Sequence, residues 1–229
     1  MYKKKQYIIG NGFIAKKFKK YVKFLEKNNI VIYAAGVSNS SEKNEVKFNK
    51  EILKFKKFCK TNMSKVVYIS TCSITDGSRS SKKYIKNKIK IENFLKKNVD
   101  RYLIVRLPEI IGSKNNPYTL TNFFYAKIVY NEVFKLYENT KRNLLDIDDA
   151  IKKTFKILKK NNVQNSTINI LNKNFYSPFQ IVKVFEQILE KKALYKKVKL
   201  KKRSWKLKNN YYLNMNKEYL KKVLKKYYD

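Results

Sequence analysis

The chain has 229 residues, 43% of them hydrophobic, enough to bury the core of one domain with a small additional lobe. Its formal net charge is +37 and it contains no histidine, which excludes Ser–His and Cys–His nucleophile pairs and His-ligated metals. Two cysteines, Cys59 and Cys72, provide neither a disulfide framework nor metal-ligand spacing, so no metal is expected.

Residues 5–9 (KQYII) read as a short buried strand ending at Gly10. Ile14, Phe18, Val22 and Leu25 then recur at helical spacing over 14–27. NIVIYAAG, 29–36, is a β-branched run closed by small residues, and 43–61 reads as a helix with Ile52, Leu53, Phe55 and Phe58 on one side. KVVYIST, 65–71, is a further buried strand, followed by a polar loop and a helix from about 82 to 97. RYLIVRLP, 101–108, is the fourth strand of the series. The order β-α-β-α-β-α-β with nearly continuous apolar strands predicts a parallel sheet with helices on both faces.

Beyond residue 112 the pattern loosens. TLTNFFYAKIVYNEVFKLY reads as helix then strand, and residues 146–161 read as an amphipathic helix opened by acidic residues. STINIL is a short strand. Residues 177–192 read as a helix with Ser177 as N-cap and Pro178 in the first turn. The tail from 195 is basic and aromatic. The expected organisation is a Rossmann-like core over 1–112 and a substrate lobe over 113–229, with 146–172 returning to the core.

Chemistry concentrates at the strand ends. Gly10, Gly12 and Ala15 form G-x-G-x-x-A between a strand and a helix. Such spacing allows a sharp turn, close approach of a pyrophosphate and packing of the helix on the sheet, with the helix N-terminus facing the anion. The other reading of this stretch is a tight strand–helix turn without a ligand. Gly36, Gly77 and Gly112 are the only other glycines, and each follows a strand. Together the five outline one crevice at the carboxyl edge of the sheet, where ligands bind in open α/β folds. Tyr84 and Lys88 are four residues apart on the following helix and share a face. A phenol, normally near pKa about 10, becomes a usable base when an ammonium and a cationic ring stabilise its anion. The spacing recurs at Tyr137/Lys141 and Tyr195/Lys199, but only Tyr84 lies between STCS and RLPEIIG.

All but five of the 54 basic residues are lysines, spread along the chain. This distribution predicts a solvated lysine surface rather than a dedicated nucleic-acid site, where arginine would be favoured. The one stretch with the composition of a strand-binding surface is YKKVKLKKRSWKLKNNYY, 195–212, in which aromatics alternate with lysines. No apolar run approaches 18 residues and no export signal precedes the first strand, so a cytoplasmic chain outside the membrane is expected.

The ordered series GNGFIA, VIYAAGVSNS, VVYISTCSITD, YIKNK, LIVRLPEIIG, RNLLDIDDA and INI, over residues 5 to about 190, resembles the extended short-chain dehydrogenase/reductase family of NAD-dependent sugar epimerases and dehydratases. The resemblance implies a Rossmann-like fold and NAD or NADP as cofactor. It implies a nucleotide-activated sugar as substrate, a role in bacterial surface-polysaccharide synthesis and a homodimer. It places a catalytic triad on Thr71, Tyr84 and Lys88. Tyr84 would exchange a proton with a sugar hydroxyl and Thr71 would hydrogen-bond the same oxygen. Lys88 would hold the nicotinamide ribose and lower the Tyr84 pKa. Cofactor contacts would come from Gly10, Asn11, Gly12, Phe13, Ile14, Ala34, Ala35, Gly36, Ser70, Lys88 and Pro108. Substrate contacts would come from Ser38, Asn39, Ser73, Glu109 and Arg142, with Arg142 on the diphosphate.

The chain also departs from the family. Only one helix separates Gly12 from VIYAAG, where family members have two further strands and an acidic residue for the adenosine ribose. The sheet is therefore expected to be trimmed by about two strands. Glu109 stands in place of the usual substrate-binding Asn, Thr75 in place of a Tyr, and the glycine spacing is shorter. NIVIYAAG reads either as the fourth strand of the family pattern or as the second. In the second reading Ser38, Asn39, Ser40 and Lys43 would hold an NADP 2′-phosphate.

Overall fold

The long strands form where β-branched and aromatic residues run without interruption, because such side chains pack well on a sheet buried on both faces. The computed structural model describes residues 5–76, 82–160, 163–199 and 208–229. Its first half alternates strictly: β1 (Ile8–Ile9), α1 (Phe13–Phe18), a 3₁₀ turn (Lys19–Tyr21), α2 (Val22–Lys27), β2 (Ile30–Tyr33), α3 (Glu45–Thr61), β3 (Lys65–Thr71), α4 (Lys83–Asn98) and β4 (Tyr102–Leu107). The second half holds β5 (Glu109–Ile111), α5 (Leu120–Val129), β6 (Phe134–Glu138), β7 (Leu144–Asp146), α6 (Ile147–Lys159), β8 (Ser166–Asn172), α7 (Pro178–Leu189), β9 (Tyr195–Lys199), β10 (Asn210–Leu213) and α8 (Tyr219–Tyr228).

The main sheet has six parallel strands in the order β1-β2-β3-β4-β8-β10. This is the expected parallel sheet, and among the described residues no strand lies outside β1. NIVIYAAG lies between β1 and β3, on the inner side of β1, as the fourth-strand reading expects and the second-strand reading does not. β10 joins the far edge, a strand the sequence reading left within the basic tail. Two small parallel pairs, β5 with β7 and β6 with β9, lie outside the main sheet.

Each sheet face has its own core. On one face Phe18 of α1 and Leu25 of α2 join Ile151 and Leu158 of α6 over Ile32, Val67 and Val105. Tyr21 stacks on Phe155 of α6 with ring centroids 3.9 Å apart. On the other face Phe55 of α3 and Ile91 and Leu95 of α4 cover Tyr33, Val66, Tyr68 and Ile104. The crossovers β1→β2 and β2→β3 thus advance in the same direction on opposite faces, so the first has the opposite hand to the second.

Caps fix two helices of the second half: Asp146 caps α6 by accepting from the Asp148 amide, and Ser177 with Gln180 forms a capping box on α7. α8 is tied to the start of α6: the Tyr219 hydroxyl donates to Asp149 at 2.8 Å and accepts from the Asp146 amide at 2.8 Å. The Tyr228 hydroxyl donates to Thr121 at 2.8 Å on α5. Among the described residues no helix is long and apolar enough to cross a membrane.

Candidate active site

Parallel strands present their carboxyl ends on one edge, and two adjoining cavities open there. The inner one has a volume of about 200 Å³ and the outer about 420 Å³. Both are walled by Ser38, Thr71, Tyr84, Pro108, Ile110 and Thr119. Phe13, Ile14, Ala34, Ala35, Gly36, Ser70 and Lys88 complete the inner cavity. Ser73, Glu109 and Arg142 line the outer one. The strand-end loops and the first turns of α4 thus gather the three residues Thr71, Tyr84 and Lys88 around one space.

A buried carboxylate organises that space. Glu51 on α3 reaches under the loop after β2, where its Oε1 accepts from Lys88 Nζ at 3.0 Å. Its Oε2 accepts from the Val37 amide at 3.1 Å and from Asn87 Nδ2 at 3.1 Å. The two side chains are only 6% and 5% exposed, so the pair is shielded from solvent. The Lys88 ammonium lies 5.7 Å from the Tyr84 ring centroid and 5.5 Å from that of Tyr68. Burial alone would pull the Lys88 pKa down, but Tyr68, Tyr84 and Glu51 outweigh it and hold the lysine above its ordinary value. Lys88 is therefore a fixed cation at neutral pH. A second buried pair braces the same helix: Glu92 accepts from Arg106 Nη2 at 2.5 Å, from Arg106 Nε at 3.0 Å and from Ser70 Oγ at 2.6 Å. Ser70 lines the inner cavity, but its hydroxyl hydrogen is committed to Glu92. Thr71 accepts from the Ser73 amide at 3.1 Å, which caps the 3₁₀ turn Cys72–Thr75.

The glycines divide by role. A Cβ on Gly10, whose φ is +124°, would meet the Ala34 carbonyl oxygen at 2.7 Å, so this glycine lets the end of β1 press against β2. A Cβ on Gly36 would meet Glu51 Oε1 at 2.3 Å, and one on Gly112 would meet Ile147 at 2.6 Å. Only at Gly12 would an added Cβ meet nothing within 4 Å, among the glycines described. Gly77 lies outside the described residues. Of the four described glycines, Gly36 lines the inner cavity, and Gly10, Gly36 and Gly112 leave no room for a Cβ. Gly10, Asn11 and Gly12 are exposed and line neither cavity, whereas Phe13 and Ile14 line the inner one.

In the outer cavity Arg142 Nη1 bonds Glu109 Oε1 at 3.2 Å. The Arg142 side chain is 7% exposed, and its Nε is buried without a hydrogen-bond partner among the described residues. Asn39, expected at the substrate, lines neither cavity: its Oδ1 accepts from the Ser41 amide at 2.8 Å, and Ser40 and Ser41 take its place in the wall. Burial pushes the Cys59 thiol up to about 12 and Cys72 higher still, which leaves neither as a thiolate at neutral pH. The basic tail is part of the fold where it is described, with β9 paired to β6 and β10 to β8. Arg203 and Trp205 lie outside the described residues.

Sequence reasoning missed Glu51 and Glu92. Their signal was present: each carboxylate falls on the apolar stripe of its helix, Glu51 between Phe48 and Phe55, and Glu92 beside Ile91 and Leu95. A charge at such a position needs a buried partner.

No family model and no curated protein sequence matches this chain. Solved structures do. The dTDP-4-dehydrorhamnose reductase of Clostridium acetobutylicum matches with a TM-score of 0.69 at 17% identity over 95% of this chain and 95% of that one. The UDP-glucuronic acid 4-epimerase of Bacillus cereus, solved with NAD, matches with a TM-score of 0.68 at 18% identity over 90% of this chain and 75% of that one. The UDP-glucose 4-epimerase of Thermus thermophilus, also solved with NAD, gives 0.60 at 12% identity over 86% and 72%. The chain has the fold of these epimerases and reductases.

A nicotinamide cofactor fits this chain on one side only. The inner cavity, with Phe13, Ile14 and Lys88 in its wall, would suit the nicotinamide and its ribose. On the outer side of β1 no strand among the described residues forms a floor for the adenosine.

Proposed function

We propose that the protein is an NAD(P)-dependent enzyme that epimerises, dehydrates or reduces a nucleotide-activated sugar. The observation that carries this reading is the position of Tyr84 and Thr71 on the wall shared by the two cavities, with the Lys88 cation behind the phenol. Bound at the inner cavity, the cofactor would supply the hydride acceptor or donor. Tyr84 exchanges a proton with the sugar hydroxyl that enters from the outer cavity, and Thr71 holds the same oxygen. Lys88 favours the negative charge that develops on Tyr84. Arg142 and Glu109 line the outer cavity, where the sugar and its diphosphate would lie. The same reading takes 1–112 as the cofactor core and 113–229 as the substrate lobe, with 146–172 returning to the core. It extends to a cytoplasmic homodimer in surface-polysaccharide synthesis, a setting supported only by the sequence resemblance.

Tyr84→Phe is expected to lower turnover at least about 100-fold, in line with the loss of a general base, while cofactor affinity stays nearly unchanged. The assay is hydride transfer with NAD(H) and NADP(H) across UDP- and dTDP-sugars. Full activity in the variant would remove Tyr84 from the mechanism.

A second reading has one specific observation in its favour. Among the described residues, the two cations that line the cavities, Lys88 and Arg142, are already engaged by carboxylates of the chain itself. A non-catalytic protein that retains the pocket to bind a sugar nucleotide or a partner would tolerate that arrangement. Binding of a nucleotide sugar without any turnover in the same panel selects this reading.

A further inference from the structure

A dinucleotide-binding sheet is built from two mononucleotide halves that meet where the strand order reverses, and the ligand crosses between them. The main sheet here never reverses: its six strands stand side by side in the order in which the chain makes them. β1 is the outermost of these, two residues long and only half-buried, while its neighbour β2 is buried at all four positions. Among the described residues nothing pairs with β1 on its outer side.

An adenosine would also need a carboxylate about 20 residues past the glycines to bind its ribose hydroxyls. At that distance from Gly12 stands β2, Ile30-Val31-Ile32-Tyr33, enclosed between β1 and β3. The acidic residues that follow β2 are engaged elsewhere: Glu42 with Lys47 at 2.7 Å and Glu45 with Lys83 at 2.7 Å. The inner cavity, at about 200 Å³, also falls below the roughly 300–1,000 Å³ of pockets that enclose whole drug-sized ligands. That volume suits part of a dinucleotide rather than the whole of it.

We infer that the protein recognises only the nicotinamide mononucleotide half of the cofactor and leaves the adenosine half in solvent. The inference rests on the proposed reading of the inner cavity as a nicotinamide site. Reduced nicotinamide mononucleotide, NADH and NADPH then bind with closely similar affinity, because the part that distinguishes them touches nothing specific.

Isothermal titration of the full chain with each of the three, at salt high enough to screen the lysine surface, tests this. The expected result is three dissociation constants within about tenfold of one another, with ADP unable to displace any of them. Ala35→Leu, which fills the inner cavity, is expected to weaken all three equally. NADH binding about 100-fold more tightly than the mononucleotide, or displacement by ADP, would overturn the inference by showing an adenosine site. Equal binding that Ala35→Leu leaves intact overturns it too, since the contact would then lie elsewhere on the surface. If none of the three binds at millimolar concentration, the nicotinamide reading of the cavity fails, and this inference with it.

Discussion

At Gly36 backbone and side chain are fitted to one another: φ is +138°, and the place where a methyl group would project is occupied by the Glu51 carboxylate. Gly36→Ala is expected to lower stability by about 1–3 kcal/mol from backbone strain, read by urea unfolding. Glu51→Ala should cost more, about 3–5 kcal/mol, because it leaves Lys88 as a buried cation without its anion. If the second variant unfolds no more easily than the wild type, the pair is not the anchor described above. Thr71, Tyr84 and Lys88 were legible in the sequence because their order relative to the strands restricts where they can lie. Glu51 was not, because a single glutamate in a lysine-rich helix resembles surface until its helical face is compared with Phe48 and Phe55. Asn39, read from the sequence as facing the ligand, accepts through its Oδ1 from the Ser41 amide and lines neither cavity.

Turns are made with unusual residues for a chain of five glycines. Asn29, Asn131, Asn139, Asn165 and Asn209 all adopt positive φ, between 47° and 60°. Asparagine tolerates the left-handed region better than other non-glycine residues. Asn131 sits between α5 and β6 with φ of 54°. Asn131→Ala is expected to destabilise the protein by about 1 kcal/mol, whereas Asn131→Gly should leave the thermal midpoint unchanged or slightly raised. The start of α6 adds a pH-dependent element. Burial would raise the Asp148 pKa, but hydrogen bonds from Lys17 and Lys226 outweigh it and hold the carboxyl below its usual range. A depressed carboxyl stabilises the fold at and above the ordinary aspartate range, and the contribution disappears as pH falls through the lower folded value. Asp148→Asn should therefore lower the neutral plateau and flatten the acid side of a stability–pH curve by the same small amount, small because the contact is solvent-screened. β2, β3, β4 and β8 could be read from apolar runs. β10 could not, because its burial comes from docking on β8; α8, which packs on α7, carries Tyr219, Leu220, Val223 and Leu224 at helical spacing, a signal the sequence reading left within the basic tail.

Seen whole, the molecule carries +37 on one domain-sized chain, so self-repulsion opposes its compact state. Its thermal midpoint is expected to rise between low and physiological salt as the Debye length shortens, and a flat response would show that the lysines are already neutralised by bound anions. The parallel order of the sheet followed from alternating strands and helices. The hand of the first crossover did not, because handedness depends on which face a helix covers, and apolar spacing alone does not tell one face from the other. The outermost position of β1 has one more effect. The strand is tied to β2 through the Ile32 amide to Tyr7 at 2.9 Å and the Ala34 amide to Ile9 at 2.8 Å, with no paired strand on its other flank among the described residues. Its own amides are thus the first in the sheet that deuterium should reach, and any molecule that settles against the glycine turn would announce itself by slowing that exchange.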